Sequence, residues 1–468
     1  MGNRSDRREF IKIMSGAAVA PYMLRAADAA SLGISNNLGA PRDPRALASN
    51  PVANVPIGVA KGLHPGRVVW AHDPSATNWE GPGQGHWWQS RHTNPDVVDS
   101  MMSGAIRRLS DKATDQEAWH ALIKHFNQSH GHGEAGYQKG ERVAIKVNLV
   151  GCIIGGGVDT KSYDLVQGLD YMNASPQMIR ALLRQLVYAA GVQERDICVG
   201  DPLALFPNQY YDFLHSEFPE VQYLDHDGGN ASHPRTRVQH SSIPFYWSCR
   251  PTERVQDYVP IHYAEAKYFI NMANLKSHTS AGVTLCGKNH YGSLIRKPPD
   301  KGYYDMHVSL PGRVQGSGHY RAVVDLMGHA HTGGKTLLYL VDGLYPGVHG
   351  MDESPRKWST APFNGHWAAS LLASQDPVAI DSVAFDFLWA EWNNHPHMSG
   401  ADDYLHEAAL ADNPPSGTFY DPDHATNTTR LGSLGVHEHW NDAQHKQYSR
   451  NLGKGDGIEL VGVGPSAA

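Results

Sequence analysis

Along the 468-residue chain, apolar and polar positions repeat with two periods, and the order in which those periods occur predicts the fold. Residues 67–72 (Arg-Val-Val-Trp-Ala-His) form a short apolar run of strand type. Residues 74–94 carry Gly, Trp and Gln without periodicity and read as a structured loop. Residues 97–109 and 116–126 follow helical spacing, the second placing Trp119, Leu122, Ile123 and Phe126 on one face. Strand character returns over 142–149 (Arg-Val-Ala-Ile-Lys-Val-Asn-Leu), with polar Lys146 and Asn148 near its end. Ser175 followed by Pro176 is an N-cap with proline at the first helical position. The helix it opens is predicted to run to about Ala190, where Gly191 closes it. Another strand spans 196–200, with Asp201 at its carboxyl end. Strand, helix and strand in that order signal a parallel sheet. Further strands are predicted over 267–272, over 336–341 just before Asp342-Gly343, and over 457–463. Residues 375–392 read as a loop followed by a long apolar helix.

The predicted fold class is α/β, a mostly parallel sheet flanked by helices, with long loop insertions and a C-terminal elaboration. Four regions follow: residues 1–29 as an export signal, 30–139 as an arm with loops and helices, 140–392 as the α/β core, and 393–468 as a polar, His-rich elaboration on the periphery that ends in the last strand.

The export assignment rests on residues 6–12 (Asp-Arg-Arg-Glu-Phe-Ile-Lys), a modest apolar run over 13–24 and an Ala-Asp-Ala-Ala stretch over 27–30. Basic region, short apolar region and A-x-A site are the three parts of a signal peptide. The pair Arg7-Arg8 followed by Phe10, Ile11 and Lys12 resembles the twin-arginine consensus, so the twin-arginine export machinery is an expected partner and the expected location is periplasmic or secreted. The apolar run is far below the ~20 residues that span a bilayer, and no transmembrane segment is expected in the mature chain. Formal net charge is −7. That balance argues against a nucleic-acid partner, which would call for a basic face. The four cysteines, Cys152, Cys198, Cys249 and Cys286, are widely spaced and form no C-x-x-C. Neither a zinc ribbon nor an iron–sulfur cluster is signalled.

In open parallel sheets, ligands bind beyond the carboxyl ends of the strands. The polar residues predicted there are Lys146 and Asn148, Asp201, the stretch Asn274-Leu275-Lys276-Ser277-His278, and Asp342. The loop Gly287-Lys288-Asn289-His290-Tyr291-Gly292 adds to them, as does Asp376-Pro377 with Asp381 just over one turn on. Lys146 in an apolar strand requires a partner, because burying a lone ammonium is unfavourable. Lysines can hold an anionic substrate, and carboxylates with amides a divalent cation. In this reading Asp201, Asp342, Asp376 and Asp381 supply the oxygens for a divalent metal ion of unspecified identity. Asn148 and Asn289 assist in holding the substrate. Lys146, Lys276 and Lys288 hold and stabilise its charge, and His278 or His290 transfers the proton. His437-Glu438-His439 places two imidazoles at strand spacing, and in so polar a segment reads as surface. H-E-x-x-H, G-x-S-x-G, the P-loop and a strand-borne G-x-G-x-x-G are all absent from the sequence.

Taken in order, Lys-Val-Asn-Leu at 146–149, Ser-Pro-Gln-Met-Ile-Arg-Ala-Leu-Leu from Ser175, Gly-Asp at 200–201, Asn-Leu-Lys-Ser-His-Thr from Asn274, Gly-Lys-Asn at 287–289, Val-Asp-Gly at 341–343 and Asp-Pro-Val-Ala-Ile-Asp from Asp376 resemble the family catalogued as domain of unknown function 362. The resemblance spans roughly residues 140–392, with a family-like tail over 451–463. It implies an α/β fold whose strand ends face one cleft, and it brings no settled reaction. Some relatives carry a ferredoxin-like module with clustered cysteines, which this chain lacks. Two functions from different classes follow: an exported, metal-assisted enzyme acting on an anionic small molecule (a hydrolase, lyase or isomerase), or a non-catalytic periplasmic binding protein for an anionic ligand or metal.

Overall fold

Side chains of residues 67–72 alternate between two apolar layers: Val69 and Ala71 enter one, Val68 and Trp70 the other. A strand buried on both faces belongs inside a covered sheet. The computed structural model describes residues 55–153, 156–166, 170–250, 257–295, 304–348 and 354–465. The export signal and residues 30–54 of the adjoining arm lie outside the described residues.

In chain order the strands are β1 (Ile57–Gly58), β2 (Arg67–His72), β3 (Val143–Val147), β4 (Ile197–Gly200), β5 (Gln222–Asp225), β6 (Thr236–Arg237), β7 (His240–Phe245), β8 (Asp257–Pro260), β9 (Tyr268–His278), β10 (Gly282–Thr284), β11 (Thr336–Gly347), β12 (Ser370–Ser374), β13 (Val436–His437) and β14 (Glu459–Val463). Ten of them, among the described residues, form one sheet in the order β14-β2-β12-β11-β9-β3-β4-β5-β6, with β10 attached to β9. β12 is antiparallel to both β2 and β11, and β10 to β9; every other pairing in this sheet is parallel. The expected α/β class, with a largely parallel sheet, is the observed one.

One layer is built by helices α1 (Pro95–Ser110), α2 (Asp115–Ser129), α3 (Pro176–Arg184) and α4 (Asn208–His215). Their starts follow local chemistry. Asn94 accepts from Asp96 N and Val97 N, Thr114 and Glu117 form a capping box, and Ser175 accepts from Met178 N ahead of Pro176. The opposite layer holds α5 (Cys286–Asn289), α6 (Ala322–Gly328), α7 (Pro377–Trp392) and α8 (Asp403–Ala409).

Two expectations change. β9 and β11 run several residues past their predicted ends, because β9 pairs on with β10 (Lys276 opposite Thr284) and, beyond a shift in register after Asp342, with β11 (Lys276 opposite Gly347). Asn274, Lys276, His278 and Asp342 therefore lie within strands. The C-terminal segment is also not peripheral. α7 is apolar around its whole circumference, and a helix of that kind must be covered on every side. Ala401, Leu405, Val436, Tyr448 and Ile458 share its core, β13 pairs with β1, and β14 joins the main sheet beside β2.

Candidate functional site

Alternation along β3 sends Val143, Ile145 and Val147 into the first layer and Ala144 into the second, so Lys146 projects with Ala144 toward α5. The parallel register sets Lys146 opposite Gly200, which brings Asp201 beside it. Lys146 Nζ lies 3.0 Å from Asp201 Oδ2. It also donates to Val147 O at 2.7 Å and to Asn289 Oδ1 at 3.2 Å. An ammonium has three N–H donors, and all three are used. Burial pulls the Lys146 pKa down, and the Asp201 charge and hydrogen bond oppose that pull. Asp201 in turn accepts from Leu149 N at 3.1 Å and Leu203 N at 3.3 Å. Asn289 Oδ1 also accepts from Asn148 Nδ2 at 3.1 Å, while its own amide donates to Asn271 Oδ1 at 2.8 Å. A Cβ at Gly292 would stand 2.7 Å from Asp201 Oδ1 and 3.2 Å from Lys146 Nζ, so the close approach over this pair requires glycine.

Two strands along, the chemistry differs. Asn173, Ser175, Asn274, Lys276 and Asp342 line a crevice with Trp87 and Tyr345. Lys276 is buried, yet among the described residues its ammonium meets a single acceptor, Thr284 Oγ1 at 3.2 Å. Among the described residues no carboxylate pairs with it. Burial, reinforced by the Lys146 charge, pulls its pKa down to about 7. Asp342 accepts from Ser175 N at 2.6 Å and Leu344 N at 3.0 Å, but burial still pushes it up to about 6. Asn274 Oδ1 and Asn148 Oδ1 are buried without a partner among the described residues, an uncommon and unfavourable state for an amide oxygen. The space between the crevice side chains is about 10 Å³, enough for the centre of roughly one water.

Lys288, on α5, lies 3.8 Å from the centroid of the Tyr291 ring and lines a mostly apolar hollow with Ser309, Arg321 and Tyr404. Burial, then the charges of Lys276 and Lys146, pull its pKa to about 7. His278 Nδ1 accepts from Ser280 N at 3.0 Å and Ala281 N at 3.2 Å. His290 is fully buried; Asn271 donates to its Nε2 at 2.9 Å and Ser293 meets its Nδ1 at 3.3 Å. Burial lowers its pKa to about 3, and with both nitrogens engaged it is a neutral structural ring.

The four aspartates expected to share a cation do not meet. Asp376 follows β12, which runs against its neighbours, so it sits at the amino-terminal edge of the parallel strands, opposite Asp201 and Asp342. Its carboxylate accepts from the backbone N–H groups of Lys61, Val378, Ala379 and Val436. Burial nevertheless raises its pKa to about 7. Asp381, raised by burial to about 6, accepts from Cys286 N and Gly287 N at 2.8 Å each and from the Tyr404 hydroxyl at 2.9 Å. It anchors the helix that carries Lys288 and Asn289. Sequence reasoning passed over Asn173 and Ser175 as site residues, and it placed Asn274 at a strand end beside Lys276 without giving it a role.

A family model described as domain of unknown function (DUF362) matches residues 143–386, from the first residue of β3 into α7. The chain belongs to this family. No curated protein and no solved structure matches it. The DUF362 span carries both halves of the cleft: the Lys146–Asp201 pair and the Lys276–Asp342 crevice. Outside that span lies the one group among the described residues with metal-ligand composition and spacing, Asp402, His437 and His439, whose ligand atoms lie within 4.8 Å of one another. No helix of the described residues is long and apolar enough to cross a membrane.

Proposed function

We propose that this DUF362 protein binds the anionic group of a small molecule in the crevice between β9 and β11 and catalyses a proton transfer on it. The observation that carries this reading is Lys276, a buried ammonium with one neutral acceptor among the described residues, where its neighbour Lys146 has three, one of them a carboxylate. Two N–H donors of Lys276 await an acceptor, and a carboxylate or phosphoryl oxygen entering the crevice supplies it. Asn274, whose oxygen lacks a donor, orients the rest of the ligand through a hydroxyl or amine hydrogen. Lys276 and Asp342 line one crevice with pKa values of about 7 and 6, the poise that general acid–base catalysis near neutrality requires. Asn148 and Asn289 brace the Lys146–Asp201 pair rather than touch the substrate, and Lys288 adds positive potential. Export through the twin-arginine route belongs to the same reading and is supported by Arg7-Arg8 and the apolar run that follows.

Isothermal titration of the full chain with succinate and with inorganic phosphate at pH 6 tests the binding step. Binding that weakens on raising the pH to 8.5, and vanishes in Lys276→Met but not in Lys288→Met, is expected. Binding that is indifferent to Lys276→Met sinks the reading. Turnover separates enzyme from binder: hydrogen–deuterium exchange at the carbon beside a bound carboxylate, lost in Asp342→Asn, identifies catalysis, whereas binding without exchange leaves a ligand-binding protein. Accumulation of uncleaved precursor in an Arg7→Lys, Arg8→Lys variant tests export.

A further inference from the structure

The C-terminal segment brings together a group that the cleft does not use. β13 ends at His437, and the chain continues through His439 across the buried side of α7. Ser382 and Asp386, one turn apart on that helix, each hold one of the two imidazoles by its Nδ1.

The hydrogen bonds fix the tautomers. Ser382 has one hydroxyl proton and donates it to Val378 O at 2.7 Å. It can therefore only accept from His437, at 2.9 Å, so His437 Nδ1 carries the proton and Nε2 keeps its lone pair. Among the described residues no hydrogen bond meets that Nε2. His439 Nδ1 lies 2.7 Å from Asp386 Oδ1, and a carboxylate accepts, so this Nδ1 is protonated too. Asp386 is itself held by Trp440 N at 3.0 Å and the Tyr448 hydroxyl at 2.9 Å. His439 Nε2 lies 3.6 Å from Asp402 Oδ2, too long for a hydrogen bond, and one ring nitrogen of His437 lies within 4.8 Å of the ligand atoms of both. This pattern of imidazoles oriented through Nδ1 by a carboxylate and a hydroxyl is how metal-ligating histidines are held.

We propose that Asp402, His437 and His439 bind a divalent first-row transition ion, with Zn2+ the ion of first choice. Two imidazole nitrogens and one carboxylate oxygen suit that class, whereas Mg2+ and Ca2+ prefer shells made of oxygen. Donors on a tetrahedral Zn2+ stand about 3.3 Å apart, given bonds of about 2.0–2.1 Å. The present spread, within 4.8 Å, is wider than that value, so the three ligands draw together when an ion binds. Its side chain is 25% exposed, which gives the ion access from solvent, while His437 and His439 are buried. Three protein ligands leave one position for water or a further ligand, the arrangement of an open rather than a closed zinc site. Asp386 and Ser382 are positioning residues, and the former is the last residue of the DUF362 match.

The full chain, stripped with a chelator and titrated calorimetrically with Zn2+ and separately with Mg2+, tests the site. One Zn2+ per chain, no Mg2+ uptake, and a loss of at least about 100-fold in Zn2+ affinity in Asp402→Asn and in His437→Gln are expected. Ser382→Ala lowers affinity by about 10–100-fold, as loss of an orienting partner does. Co2+ loaded in place of Zn2+ gives visible absorption bands of a four-coordinate ion that change in Asp402→Asn. Asp402, being partly exposed, keeps the test valid if the His437 variant fails to fold. Absence of stoichiometric Zn2+ binding by the folded wild type overturns the proposal and leaves His439 as an ion-pair partner of Asp386. Undiminished binding in Asp402→Asn combined with His437→Gln overturns it equally.

Discussion

The β3–β4 end and the β9–β11 end of the cleft both bury a lysine, on opposite terms. Lys146 has a carboxylate at 3.0 Å, two further acceptors and an asparagine network behind it. Lys276 has one hydroxyl. A satisfied buried pair is a brace: it places Leu149, Asn289 and Gly292 relative to one another and has no capacity left for a ligand. An unsatisfied buried ammonium does the reverse, lowering stability while offering donors. Polar groups kept buried at the expense of stability concentrate where function requires them. On the proposed function the difference gives one half of the cleft a structural part and the other a chemical one, although both halves carry the same residue types.

Breaking the brace has the largest expected effect. Asp201→Ala leaves the Lys146 charge buried and unpaired, and destabilises the fold by about 3–5 kcal/mol in chemical denaturation. Lys146→Met combined with Asp201→Leu recovers most of that loss, because it removes both charges. A double variant as unstable as the single one contradicts the brace. Gly292→Ala presses a methyl group onto the same pair and lowers stability by about 1–3 kcal/mol.

The ligand half responds with the opposite sign. Lys276 holds its proton more weakly folded, at about 7, than unfolded, at 10.5. Between those values the unfolded chain carries more protons, so stability climbs with pH by about 1.4 kcal/mol per unit for this group. Below pH 7 the full burden remains, and above pH 10.5 none does. Lys276→Met is therefore more stable than wild type at pH 7 and removes this share of the climb, read from denaturation curves at pH 6, 8 and 10. A variant less stable at pH 7 places Lys276 in the brace and erases the contrast. Thr284→Val has the smallest effect, about 1 kcal/mol or less at pH 7, because it removes one hydrogen bond to a group already close to losing its charge.

Much of this was legible along the chain. Lys146 inside an apolar strand demanded a partner, and Asp201 is that partner. Ser175-Pro176 starts a helix where it stands. The apolar circumference of α7 also announced that something covers it, although polar composition made residues 393–468 look peripheral. The misplacement of Asp376 has a different origin. The strand that precedes it, β12, was not among the predicted strands, and its direction was not readable, since β12 reverses only through pairing with β2 and β11.

Local order thus determined the elements, their caps, the parity that turns Lys146 to one face, and the need to neutralise it. Alternation and capping act over a few residues, so they are written in consecutive positions. Strand direction, the isolation of Lys276 from any carboxylate, and the meeting of Asp402 with His437 and His439 were decided only by the tertiary structure. Each depends on which distant segments share a sheet edge or a helix face, and that follows from closing long loops around a common core rather than from any short stretch of sequence.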